Sequence, residues 1–334
     1  MNPTIKDVAK KANVSTATVS RILNDLPGYT EETKEKVLRT IDELGYHPNA
    51  VARGLIKKKT QTIGVLFPDV SSSFSSEILN GIEDACNKAG HSVIVCNTAS
   101  NGVRTQKYLQ VLNEKRVDGM IFTSEIMKDE YYEIIQKFNK PVVLLSSVSY
   151  KFQIPYVKVD DHQAVYNGTE YLIEKGHRRI GMISGPKEDP IAGMPRIKGF
   201  LSALNAYGIE GSDKQVECAE GFGFKDGVAA LPKLLKANPD LTAVVVASDE
   251  MAFGVLSAAF KMGIKIPEQL SVIGYDNLPI AEMCIPPLTT IAQPLYEMGS
   301  KSAEMLMEMI RTGQTVDSVI IRHQIIERDT VRPL

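Results

Sequence analysis

The chain has 334 residues, 43% of them hydrophobic, which is long for one average domain and too apolar for a disordered protein. Its 38 Lys+Arg nearly balance its 40 Asp+Glu, yet residues 1–60 hold 11 of the former and 7 of the latter, so a small basic segment precedes a large acidic one, as in a nucleic-acid-binding head on a globular body. No run approaches the ~18 apolar residues of a membrane span and no basic stretch leads into an apolar one at the start, which predicts a soluble, unexported, cytoplasmic protein without membrane partners.

The first 45 residues predict three short helices. Thr4 with Asp7 can cap the first, whose Ile5, Val8, Ala9 and Ala12 follow helical spacing, and Asn13-Val14 breaks it. Ser15 caps a second with Val19, Ile22 and Leu23 inside. Thr30 caps a third with Val37, Leu38, Ile41 and Leu44 on its inner face, Gly45 at its end and Pro48 beyond. Two helices about three residues apart with a third behind them form a helix-turn-helix. Residues 49–57 suggest a further helix of about two turns, too short to be stable alone in water.

From residue 60 apolar runs of strand length alternate with amphipathic helices. Residues 62–67, 92–96, 119–123, 142–145 and 156–159 make one set of strands, and 179–183, 215–218, 243–247 and 271–275 another. Helical patterns lie near 76–89, 104–114, 163–175, 196–207, 226–237 and 250–262. Each set describes a doubly wound parallel sheet, and two in series describe two α/β subdomains with a cleft between them. Cys86, Cys96, Cys218 and Cys284 are scattered, with no C-x-x-C and no histidine at metal-ligand spacing, so reduced packing cysteines and no metal or cofactor are expected. The glycines of residues 221–227 fit neither phosphate-binding pattern and read as a turn.

Thr4-Ile5-Lys6-Asp7-Val8-Ala9 with Asn13-Val14-Ser15-Thr16-Ala17-Thr18-Val19-Ser20-Arg21-Ile22-Leu23-Asn24 closely resembles the head of the LacI/GalR family of transcription regulators. The likeness runs on through Gly45-Tyr46-His47-Pro48-Asn49, Lys175-Gly176-His177, Ser248-Asp249-Glu250-Met251-Ala252, Gly274-Tyr275-Asp276-Asn277 and Pro286-Pro287-Leu288-Thr289-Thr290-Ile291. It implies a small all-α helix-turn-helix head (residues 1–46), a hinge helix and linker (47–60), and a two-subdomain doubly wound α/β body (61–334) resembling periplasmic sugar-binding proteins. The N-subdomain would span about 61–160 plus 292–322, and the C-subdomain about 161–291 plus 323–334.

For the head the resemblance implies that the second helix enters the major groove. Thr16, Ala17 and Arg21 match base-reading positions, and Arg21 can pair with guanine O6 and N7. Ser15, Thr18, Ser20 and Asn24 would grip phosphates. Asn49, Ala52 and Leu55 match the minor-groove hinge, where Leu55 is the leucine wedged into the central base step.

For the body, Phe74, Asp160, Arg196, Phe222, Ser248, Asp249 and Asp276 fall at effector positions. The rings can lie on a sugar's C–H face, the arginine fork can hold hydroxyls or a carboxylate, and the aspartates follow strands, where open sheets place ligands. Ser75 stands where many members have a second aromatic, which disfavours a flat purine. A neutral sugar or sugar derivative is the expected effector of a repressor that binds pseudo-palindromic operator DNA. A homodimer is expected because two half-sites need two heads and no leucine heptads of the tetrameric relatives follow the body; the apolar helix 295–310 could serve the interface or the core. Within the family, residues 69–72 and 81–84 resemble the catabolite control proteins, which are corepressed by a phosphorylated carrier protein, although Glu304 stands where a basic phosphate-binding residue is wanted. Outside it, a periplasmic sugar-binding protein would share the body but not the head, and no Ser-His-Asp or Cys-His arrangement points to an enzyme.

Overall fold

Thr4 opens the first helix by donating its N–H and its hydroxyl to Asp7 Oδ2, at 2.8 and 2.7 Å, which ties the chain entry to the first turn. That helix, α1 (Ile5–Ala12), stops on Asn13 in the left-handed conformation. Ser15 accepts from the Thr18 N–H at 3.0 Å and caps α2 (Thr16–Leu23); Thr30 caps α3 (Glu31–Leu44), which ends on a left-handed Gly45. Val8, Ala9, Ala12, Val19, Ile22 and Val37 form the core that joins the three. One inward position differs from expectation. Leu38 is 43% exposed, because it lies about 100° round the helix from Val37. Thr40 is buried in its place and donates its hydroxyl to the Lys36 carbonyl.

The computed structural model describes residues 3–46, 60–99 and 102–334, and the chain divides into two compact units, residues 1–60 and 61–334. Asn49, Ala52 and Leu55 lie outside the described residues.

The second unit alternates strands and helices: β1 (Thr62–Phe67), α4 (Ser73–Lys88), β2 (Ser92–Asn97), α5 (Thr105–Glu114), β3 (Gly119–Thr123), α6 (Asp129–Phe138), β4 (Val142–Leu145) and β5 (Tyr156–Val159). There follow α7 (Asp161–Glu174), β6 (Ile180–Ser184), α8 (Gly193–Ala206), β7 (Val216–Cys218), α9 (Phe224–Ala237), β8 (Ala243–Val246), α10 (Asp249–Lys261) and β9 (Ser271–Asp276). The last elements are α11 (Pro279–Met283), β10 (Thr289–Ala292), α12 (Leu295–Thr312), β11 (Val319–Ile321) and β12 (Gln324–Ile326).

Two six-stranded sheets result, in the orders β11-β5-β4-β3-β1-β2 and β12-β10-β9-β8-β6-β7. Every pairing is parallel except β10 with β12. Central strands such as β3, β4, β6 and β8 are buried throughout, as parallel strands covered on both faces must be. The chain passes between the sheets three times, at residues 159–161, 292–295 and 321–324.

The sequence reading lacked α6, α11 and the last three strands. Helix α6 buries only Tyr131 and Ile135, and β11 and β12 are three half-exposed residues each, too short for a period to register. Helix α12 turns Leu295, Met298, Met305, Leu306 and Met309 into the core, so core packing accounts for the apolar surface that the sequence left divided between core and interface. Cys86, Cys96 and Cys284 are buried and free, and burial pushes their thiols up to about 11, out of the reactive range.

Candidate functional site

Burial of Val19 and Ile22 against the other two helices turns the opposite side of α2 outward. Thr16, Ala17 and Arg21 are all exposed on that side, and residues 17 and 21 are neighbours at helical spacing. The Arg21 side chain lies along the loop at Gly28, where a Cβ would come within 3.2 Å of its Nη1 and where φ is +114°. A glycine there gives the guanidinium room. The expected phosphate-gripping side chains already make local bonds. Ser15 shares a 2.9 Å hydrogen bond with the Thr18 hydroxyl, and the Asn24 amide donates to the Ser20 carbonyl at 2.7 Å.

In the second unit four elements converge on one carboxylate. Asp161, the first residue of α7, accepts at Oδ1 from Arg196 Nε (2.9 Å) and from the Tyr275 hydroxyl (3.1 Å), with Arg196 Nη2 at 2.8 Å; Lys158 Nζ, from β5, sits 3.1 Å from Oδ2. All four residues are buried. The Arg196 guanidinium lies 3.9 Å over the Tyr275 ring and 5.6 Å from the Phe222 ring centroid, and its Nη1 donates to the Ala247 carbonyl. Each charge in this cluster therefore has a partner, as buried charges require.

Asp276 ends β9 beside this cluster. Its Oδ1 accepts from the Gln293 amide at 2.7 Å, and its φ of 115° is unusual for a residue with a side chain. Burial pushes its carboxyl well above the ordinary carboxylate range, although Arg196 pulls it down. A carboxyl held up in this way can donate a hydrogen bond as well as accept one.

The remaining expected residues divide. Phe222 is half-buried after β7; a Cβ on Gly185 would run into its ring, so the glycine lets the ring lie over the end of β6. Phe74 is half-buried in the first turn of α4, and Asp160 is exposed and caps α7 by accepting from the Gln163 N–H. Ser248 is turned inward: it caps α10 and donates to the Phe222 carbonyl at 2.6 Å. Asp249 is fully buried, accepting from the Thr290 hydroxyl (2.6 Å) and the Leu278 N–H (2.7 Å), while burial raises its carboxyl to about 7. Contrary to the expectation that it faces a ligand, it ties α10 to the loop after β9. Ser75 is buried and donates its hydroxyl to the Asp69 carbonyl.

Among the described residues three buried hydroxyls have no hydrogen-bond partner: Ser146 after β4, Tyr171 in α7 and Ser184 at the end of β6. A cavity of about 470 Å³ lies where α4, α11 and the start of α12 meet, lined by Glu77, Asn277, Leu278, Gln293, Leu295 and Tyr296 among others. It reaches Gln293 but not Arg196, which Phe222 and Tyr275 cover. Among the described residues no group of His, Cys, Asp and Glu could hold a metal, and no helix is long and apolar enough to cross a membrane.

Residues 4–49 match the family described as bacterial regulatory proteins, lacI family, and residues 60–329 match the periplasmic binding proteins and sugar binding domain of the LacI family. The chain belongs to the LacI family. It is 40% identical over 323 residues to catabolite control protein A of Priestia megaterium, covering 96% of each chain. The Lac repressor dimer bound to operator and the anti-inducer ONPF superposes with a TM-score of 0.90 at 28% identity, over 99% of this chain and 100% of that one. A complex of the transcriptional regulator CelR with cellobiose gives 0.76 at 30% identity, over 98% and 99%. This LacI-family chain is thus a DNA-binding transcription regulator.

The sequence reading of this regulator missed Lys158, Asp161, Tyr275 and Gln293. One signal was present. Lys158 is a lone charge inside the apolar strand Tyr156–Val159, and the doubled Asp160-Asp161 follows at once; a lysine that must be buried demands an anion close by. Nothing local pointed to Tyr275, which comes from a strand more than a hundred residues away.

Proposed function

We propose that this LacI-family repressor binds a pseudo-palindromic operator as a cytoplasmic homodimer and releases or holds it in response to a sugar-like effector in the cleft between its two sheets. Thr16, Ala17 and Arg21 read base edges, with Ser15, Thr18, Ser20 and Asn24 on phosphates and Asn49, Ala52 and Leu55 in the minor groove. The operator bound by the similar Lac repressor and the cellobiose held by CelR are the ligand classes carried over.

One observation carries the effector reading. Phe222, Arg196 and Asp276 gather at the carboxyl ends of the second sheet's strands, and the hydroxyl of Ser184 there is buried without a partner. A ring for a C–H face, an arginine edge, a carboxyl that both donates and accepts, and a waiting hydroxyl suit a ligand dense in hydroxyl groups. Phe74 and Asp160 approach from the first sheet's side; Ser248 and Asp249 support the loops behind. For the dimer, Phe260, Met283 and Ile285 are 85%, 75% and 94% exposed, and Phe260 and Ile285 line one recess. Apolar surface of this size is what a subunit interface covers.

The test is a melting and operator-binding screen of the full chain with cellobiose, ribose and related neutral sugars. A ligand at 100 times its Kd adds about 2.7 kcal/mol to the native state, and the true effector also changes operator affinity. If no sugar moves either readout, the effector reading fails.

The 40% identity to catabolite control protein A favours a second reading, corepression by a phosphorylated carrier protein. The exposed surface of α4 and α12 argues against it. Tyr296 there bonds Asp84, and Lys301 and Arg311 are spent on Glu304 and Glu308. A phosphorylated carrier protein that tightens operator binding would establish this reading instead.

A further inference from the structure

Lys158 and Arg196 are two buried cations beside the first crossover between the sheets, and the carboxylate between them belongs to the chain itself. We propose that Asp161 is a built-in anion that makes the cleft select uncharged ligands: it occupies the place on Arg196 and Lys158 where a ligand's phosphate or carboxylate would sit. The proposal rests on the effector reading above and adds to it the charge class of the ligand.

The geometry is that of a bound anion. Arginine holds carboxylates and phosphates through two N–H groups of its fork, and Asp161 Oδ1 takes both Nε and Nη2 of Arg196. Oδ1 also receives the Tyr275 hydroxyl, and Oδ2 faces Lys158. Nη1 donates to the Ala247 carbonyl, so hydrogen bonds take Nε and Nη1 while Nη2 is held against Oδ1 as an ion pair. A free anion would have to displace a carboxylate tethered two residues past the end of β5. Such a group competes at a high effective concentration. The anion would also enter beside the exposed Asp160. A neutral ligand makes no such demand, because an uncharged hydroxyl does not compete with a carboxylate for the two cations.

The probe is inorganic phosphate, titrated against the full chain at constant ionic strength with chloride as reference, and read as melting temperature and as Kd by calorimetry. The wild-type chain is expected to gain nothing from millimolar phosphate. Asp161→Asn leaves both cations unpaired; it should melt lower in chloride, recover in phosphate, and bind phosphate roughly tenfold or more tighter than wild type. The double variant D161N/R196M should lose that gain. Should D161N fail to fold in chloride, rescue by phosphate supports the proposal and absence of rescue overturns it. Wild-type phosphate binding that disappears in R196M, or a folded D161N that gains none, also overturns it. Phosphate capture by D161N while no neutral sugar alters operator binding supports the built-in anion and sinks the effector reading, so the two fail separately.

Discussion

In the first unit Thr16, Ala17 and Arg21 stand exposed on a single eight-residue helix, whereas in the second Lys158, Asp161, Arg196 and Tyr275 come from four elements and are buried. The head needs its core only to hold α2 outward side out, so the side chains exposed on that helix contribute little to folding. In the cleft the polar groups are part of the core, and removing one strands the others. Binding and stability should therefore separate cleanly in the head and be entangled in the cleft.

The sharpest break of that comparison is Asp161→Ala. Removing one partner of a buried ion pair typically costs about 3–5 kcal/mol, and here two cations and the Tyr275 hydroxyl lose it together. Denaturant unfolding of the full chain should show the loss in the second unit's transition only. A cost under about 1 kcal/mol would mean that water reaches the cluster freely, and the contrast with the head would fall.

Asp249 comes next, with pH as the readout. Its folded carboxyl is raised to about 7 by burial against an ordinary value of 3.8, so its contribution to stability is fully present below about pH 4 and is lost as pH rises towards 7. Asp276 is raised in the same direction. Asp249→Asn should therefore lower stability, because the Leu278 N–H and the Thr290 hydroxyl share one acceptor in place of two, at about 1–3 kcal/mol for a buried group left unsatisfied. It should also flatten the fall in stability between pH 4 and 7. Melting curves across that range check both, and an unchanged slope would show that Asp249 ionises as an ordinary surface carboxylate.

The same contrast explains what could be read from the sequence. The head was legible almost residue by residue, because caps at Thr4, Ser15 and Thr30 and the spacing of Val8, Val19, Ile22 and Val37 are local; only Leu38 was placed on the wrong side. The strands up to β9 are legible because parallel strands are apolar runs bounded by turns. The last three, β10 to β12, are only three or four residues each and do not stand out as runs. Within the cleft, sequence reasoning named Arg196 and Asp276, since both follow from motif positions. The anion that holds Arg196 was one residue beyond the aspartate it chose, and Ser248 and Asp249 were assigned to the ligand when their hydrogen bonds run to Phe222, Leu278 and Thr290. Which of two adjacent acidic residues faces inward depends on where α7 starts relative to Lys158 and Arg196, and that is set by packing.

Arg21→Ala tests the head's side of the comparison. It should cost about 1–3 kcal/mol of specific operator binding and relax preference at one base pair per half-site, with no change in the melting of either unit, because the side chain is exposed and only lies along Gly28. Titration against operators varied at each position is the measurement. A uniform loss over all operators would make Arg21 a phosphate contact.

The smallest effect is expected where the cleft behaves like the head. Ser184 is fully buried, yet its hydroxyl has no partner, so Ser184→Ala breaks no hydrogen bond in the free protein. Burying an unpaired hydroxyl is itself unfavourable, and the substitution removes only one oxygen from a tightly packed site. Stability should change by no more than about 0.5 kcal/mol, with a small gain the favoured sign. If that hydroxyl is kept for a ligand, the loss will be in sugar binding, by the roughly 0.5–1.5 kcal/mol of one neutral hydrogen bond. Paired melting and calorimetric titrations on this one variant separate the readings. A clear loss of stability would show that the hydroxyl is bonded in the free protein, and unchanged sugar affinity would remove Ser184 from the effector site while leaving Arg196, Phe222 and Asp276 in it.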